Sequence, residues 1–271
     1  MAMGLVRTAV HRFNLLAGYA AQLAFFLALT LVPFVAVTVT MAGRWLPVDV
    51  TSEVEQVVRD VLPPETHVDP ADVFRWARSS ASTGWLTASF FLALATSFNF
   101  TSTCLRGIRT AVTGEVKLED TPWRSALSAA ALVVVWAVTL LAAALLLFIE
   151  PTVERGMLGL HDFADLTISL LAASRVVLVA AFLFGATFVT YRLAPIGRVN
   201  AGRAAVAALA TPLGWLAVSR GFSVVARRLW GGAHLYGSLG TMVLFLLWAY
   251  VNAWILLLGS FVLAPRARPR R

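Results

Sequence analysis

Arg175 and Arg220 invite a chemical question because each interrupts a run that is otherwise free of charge, LLAASRVVLVAAFLFGATFV around the first and AAVAALATPLGWLAVSRGF around the second. A guanidinium among apolar side chains is costly unless an anion meets it, and its planar fork of N–H donors suits a carboxylate or a phosphate. Two readings follow. Each arginine is a snorkelling or ion-paired group that fixes helix packing, or it belongs to a site for a lipid phosphate or a carboxylated solute. Glu150, Asp162 and Asp165 are the carboxylates at the ends of the neighbouring apolar runs, with Glu150 and Asp165 the ion-pair candidates. Asn99, in the polar group Asn99, Thr101, Ser102 and Thr103, is the third substrate-binding candidate. Pro212 and Gly214 are placed to break or kink the helix that carries Arg220, and broken helices border many transporter sites.

Other chemistry has no foothold. The four histidines, His11, His67, His161 and His234, are scattered without a His-x-x-x-His or His-x-His-x-Asp spacing, and no acidic residue lies within an apolar run. Metal-assisted or acid–base hydrolysis needs such groups at one place. Nucleophile elbows and Walker loops are missing too, and the single cysteine, Cys104, makes neither an internal disulfide nor a thiolate cage. The chain is therefore read as a non-enzyme with no catalytic residue, metal or cofactor.

The elements that must position these residues come from the charge-free intervals. Residues 13–43, 79–105, 125–149 and 229–265 carry no charge, and each exceeds the roughly 20 residues that cross a hydrocarbon core. Intervals 176–191 and 204–219 are shorter and become full spans if Arg175 and Arg220 are admitted. The expected architecture is all-α, one integral membrane domain over 1–271, with six transmembrane helices near 15–43, 83–106, 125–149, 166–191, 203–226 and 238–264. A composition of 59% hydrophobic and 13% charged residues fits this and no soluble class. The net charge of +8 does not mark a nucleic-acid binder, since the basic residues sit between apolar runs rather than on one soluble face.

Orientation follows from where the basic residues fall. Thirteen belong to the N-terminus, 106–124, 192–203 and the tail 264–271, against seven in the alternate loops, which puts both termini in the cytoplasm of a multi-pass plasma-membrane protein. Arginine fills all basic positions except Lys117, a usage typical of a GC-rich bacterial genome. In the first outer loop, Ser52 and Glu55 have capping-box spacing before Val54, Val57, Val58, Val61 and Leu62, and Asp69–Pro70 opens a second pattern with Val73, Phe74 and Trp76. These predict a short amphipathic helical pair lying on the outer membrane surface or acting as a lid. Ser89, Ala93, Ser97 and Thr101 repeat every fourth residue, a small-residue stripe for close helix packing or a polar lining. His234, in the glycine-rich turn Gly231–Gly237, is read as a loop residue, and the arginine tail as an orientation signal facing anionic inner-leaflet lipids.

Three stretches resemble the YihY / virulence factor BrkB family of bacterial inner-membrane proteins: LAFFLALTLVPFVAV from Leu23 to Val37, YRLAPIGRVNAGRAAVAA from Tyr191 to Ala208, and YGSLGTMVLFLLWAYVNAWILLLGS from Tyr236 to Ser260. Phe25, Phe26 and Thr30 depart from the family's usual tyrosines and serine. Phe261 replaces a common glutamate and so removes an ionisable group from the last helix. The resemblance implies six spans and an inner-membrane location, and it carries an old ribonuclease label that the scattered histidines do not support. The functional expectation is transport or binding of an anionic lipid or solute in envelope homeostasis, with membrane lipids as partners and no nucleic acid. The alternative is a non-transport scaffold that binds partners through residues 50–80.

Overall fold

The computed structural model describes residues 12–31, 33, 83–114, 122–156, 161–196, 199–230 and 237–264. The expected amphipathic pair of residues 50–80, the turn at 231–236, the end of the first span and the arginine tail lie outside them. The described residues form six helices and no strand: α1 (Arg12–Leu31), α2 (Thr83–Thr113), α3 (Pro122–Gly156), α4 (His161–Leu193), α5 (Ala201–Trp230) and α6 (Gly237–Gly259), the last followed by a 3₁₀ turn over Ser260–Leu263.

Five of them contain segments long and apolar enough to cross a membrane: Arg12–Leu31, Thr87–Thr113, Trp123–Ala142, Ala201–Val224 and Met242–Leu263. The apolar segment found in α4, Val177–Leu193, is shorter. The α4 backbone nevertheless runs unbroken through position 175, and α5 through 220, so both arginines are admitted into helices.

Helix ends are set by backbone chemistry rather than by charge. The second helix was expected to stop near 106, at its first arginine, yet α2 carries Arg106 and Arg109 onward and ends at Gly114. There φ is +75°, and the amide donates to the Thr110 carbonyl at 2.9 Å. Glycine enters this left-handed cap without a Cβ penalty. The Arg12 guanidinium packs on Gly114, against the end of α2 where unpaired carbonyls favour a cation. Pro122 starts α3, where its missing N–H costs nothing. Asn200 caps α5, its side-chain oxygen accepting from the Gly202 amide at 2.9 Å.

Successive helices pack antiparallel, α2 on α3, α3 on α4, α4 on α5 and α5 on α6. The bundle closes where α1 meets α2 and α6. A Cβ on Gly107 of α2 would lie 2.8 Å from Leu257 of α6 and 3.3 Å from Tyr19 of α1, and the Phe13 ring packs tilted by 31° against Trp254 at 4.9 Å between centroids. The core, including Leu16, Leu105, Ile108, Tyr191 and Leu257, sits toward the end bearing Arg12, Arg106, Arg124, Arg192 and Arg203, called here the basic end. Phe91, Leu127, Leu141, Val177, Leu216 and Val243 are exposed on the outside. An apolar exterior on this scale is stable in hydrocarbon and not in water.

Candidate functional site

Two features could carry function, a hydroxyl cluster inside the basic end and an apolar groove on the outside of the α3–α4 seam. The cluster centres on Tyr191, which is fully buried near the end of α4. Its hydroxyl lies 2.6 Å from the Thr211 hydroxyl of α5 and 2.8 Å from the Leu256 carbonyl of α6. Thr211 also reaches the Ala207 carbonyl at 2.9 Å, so two hydroxyl protons serve three acceptors in a place without solvent. Gly259 completes the contact, since a Cβ there would lie 2.5 Å from both hydroxyl oxygens. Three helices are pinned at one point.

A second linkage explains how α5 tolerates Pro212. Proline has no N–H, so the carbonyl four residues earlier, on Ala208, loses its helical donor. The Thr187 hydroxyl of α4 lies 3.1 Å from that carbonyl and is within reach of its own helix's Leu183 and Phe184 carbonyls at 2.8 and 3.0 Å. The helix does not break at Pro212, since α5 runs from Ala201 to Trp230 with the proline inside it. A donor from the neighbouring helix thus lies within reach of the carbonyl that the proline leaves free.

The small-residue stripe of α2 acts as helix contact. Ser89 is buried, and the Thr101 hydroxyl donates to the Ala129 carbonyl of α3 at 3.2 Å. Asn99 is exposed and two residues from Thr101, which in an α-helix is the side turned away from α3. Arg220 is exposed on α5. Arg175, Glu150 and Asp165 belong to helical backbone, and their side chains lie outside the described ones. Register still fixes heights. Thr187 and Ala208 face each other, and positions 175 and 220 each lie 12 residues from that contact, so they share one height. Twelve residues are about three and a third turns, so each position is about a third of a turn off the α4–α5 contact line.

The groove has a volume of about 470 Å³ and is lined by Val134, Val135, Val138 and Thr139 of α3 and by Leu178, Ala181, Phe182, Gly185, Ala186 and Val189 of α4. Val134, Val138 and Leu178 are exposed, so the groove opens outward. Its one polar group, the Thr139 hydroxyl, is spent on the Val135 carbonyl at 2.8 Å. Gly185 forms part of its floor, with no atom within 4 Å of where a Cβ would stand. Composition and spacing gave no sign of this groove, which depends on how two apolar helices diverge. Among the described residues no three His, Cys, Asp or Glu side chains converge.

No curated protein and no solved structure matches the chain. The family model described as Virulence factor BrkB does, over residues 12–269, and the segments of resemblance around Tyr191 and Gly259 are the ones that meet in the hydroxyl cluster. A match across that span, on an all-helical membrane bundle, makes this chain a member of the virulence factor BrkB family.

Proposed function

We propose that this BrkB-family protein crosses the bacterial plasma membrane six times, with both termini and the basic end in the cytoplasm, and binds and carries an anionic amphiphile along the α3–α4 seam. The observation that supports this reading is the place of Arg175 on α4. Positions 175, 178, 182, 185 and 189 fall on one stripe of the helix, and the last four of them line the groove. An arginine position thus stands one turn beyond the outer end of an open apolar channel. This is the pairing of charge and hydrocarbon that an anionic lipid presents.

Glu150 fits the same place. The Trp136 indole donates to the Thr190 hydroxyl at 3.3 Å and so sets the α3–α4 register. Glu150 is 14 residues beyond Trp136, and position 176 is 14 residues before Thr190, which puts Glu150 level with Arg175. Asp165, ten residues away on the same helix and about 15 Å along its axis, stands beyond the reach of one salt bridge. In this proposal Glu150 holds the guanidinium until a phosphate or carboxylate displaces it. Arg175 is 18 residues from Leu193, about 27 Å from the basic end, close to the far boundary of a core about 30 Å thick. Arg220, at the same height on the exposed side of α5, adds positive potential to that layer.

The test is reconstitution with a fluorescent phosphatidylglycerol and a membrane-impermeant quencher. Wild type moves the lipid between leaflets, and Arg175→Met slows it at least about tenfold while insertion and helicity are kept, on the scale of about 1.4 kcal/mol. Full activity of Arg175→Met would sink the anion-site reading in favour of a packing role for the arginine.

A further inference from the structure

The groove has a second arginine. Arg192 continues the stripe of 178, 182, 185 and 189 by three more residues at the basic end of α4, and its side chain is exposed. One of its five N–H donors goes to the Val199 carbonyl at 2.6 Å, which ties the exposed guanidinium to the loop entering α5 and leaves four donors for a ligand. From Leu178 to Val189 the groove covers 11 residues of α4, about 16 Å, roughly half of a core about 30 Å thick. Its lower end is one turn from Arg192.

We propose that the groove seats one acyl chain of an anionic phospholipid from the cytoplasmic leaflet, with that lipid's phosphate on Arg192. The chemistry is complementary at both parts. A wall of valines, Leu178, Phe182 and the open floor at Gly185 offers nothing to water and close contact to hydrocarbon, while a loop-anchored guanidinium with free donors suits a phosphate. An acyl chain hanging from Arg192 reaches the groove one turn away and ends at Leu178, short of Arg175. This deepens the function proposed above and rests on it for the groove as a path. It does not depend on Arg175: the lipid is held here at the inner end, where it waits before any crossing.

The experiment is native mass spectrometry of the full chain released from nanodiscs that hold phosphatidylglycerol and phosphatidylcholine in equal amounts. Wild type retains phosphatidylglycerol preferentially. A Cβ at Gly185 would meet no atom within 4 Å and leucine raises helix propensity, so Gly185→Leu adds bulk to the groove in a protein that folds, and it loses retained lipid about tenfold. Val138→Phe obstructs the opposite wall with the same result. Gly221→Leu, at an equally open glycine of α5, retains lipid as wild type does. Arg192→Gln keeps a lipid and loses the preference for the anionic headgroup. Retention unchanged in both Gly185→Leu and Val138→Phe overturns the proposal, as does an unchanged headgroup preference in Arg192→Gln. Failure of the transport reading is distinguishable, because Arg175→Met then moves lipid normally while Gly185→Leu still loses its bound lipid.

Discussion

The hydroxyl of Thr187 on α4 lies 3.1 Å from the carbonyl of Ala208 on α5, and that carbonyl is the one Pro212 leaves without its helical donor. A proline that would weaken an isolated helix becomes a joint between two helices. In hydrocarbon no water can take the carbonyl, so the partner must be protein.

The joint predicts a double-mutant cycle. Thr187→Val leaves the Ala208 carbonyl unpaired and costs about 1–2 kcal/mol of stability, seen as a lower thermal midpoint in detergent. Pro212→Ala restores an amide donor to that carbonyl. The cost of Thr187→Val therefore shrinks by at least about half in the Pro212→Ala background, and equal costs in the two backgrounds would show that the hydroxyl serves its own helix instead.

Gly259 and Tyr191 allow a second prediction. Gly259→Ala places a methyl 2.5 Å from two hydroxyl oxygens that are fixed by their own hydrogen bonds, so the end of α6 must move. Overpacking of this kind costs about 1–3 kcal/mol. Tyr191→Phe keeps the ring and loses about 1 kcal/mol for the hydroxyl alone. In the pair Tyr191→Phe with Gly259→Ala, the alanine penalty falls because the crowding oxygen is gone. Additive losses would mean that the crowding lies with Thr211 alone.

Much of this molecule is legible in its apolar runs and rather little in its charges. The runs give helices and a membrane solvent because an uncharged stretch about 20 residues long has few other stable states. Charges misplace the ends. Arg106 and Arg109 continue α2 until Gly114 supplies a positive φ, since a long arginine side chain tolerates a helix near a boundary and only the backbone stops it. The small-residue stripe was readable at Thr101, which bonds α3 as a contact residue. The hydroxyl cluster was not. Tyr191, Thr211 and Gly259 are 20 and 48 residues apart in sequence, and no local periodicity announces that they touch. The groove at Gly185 was equally hidden, because a missing side chain leaves no hydropathy signal.

Topology can be checked with the chain's own cysteine as a silent background. Cys104 is only 3% exposed, so a maleimide leaves the native protein unlabelled. Gly202→Cys puts a thiol on the exposed first turn of α5 at the basic end. A membrane-impermeant maleimide labels it in inside-out vesicles and not in intact cells. Labelling in intact cells would reverse the proposed orientation.

Arg175 and Glu150 carry the sharpest test of helix register, since the Trp136–Thr190 bond sets them level across the α3–α4 seam. In the proposed pair, removing one charge leaves the other without its partner, so Glu150→Gln or Arg175→Met alone is expected to lower stability by about 1–3 kcal/mol. The exchange Arg175→Glu with Glu150→Arg restores most of that loss, because the pair's attraction does not depend on which helix bears which sign. It does not restore lipid movement in the reconstitution assay. The restored guanidinium then stands on α3 and off the stripe that continues the α4 wall of the groove. Stability that stays low in the exchanged protein would show that these two residues do not meet, and α4 would have to be rotated or shifted against α3 above Thr190.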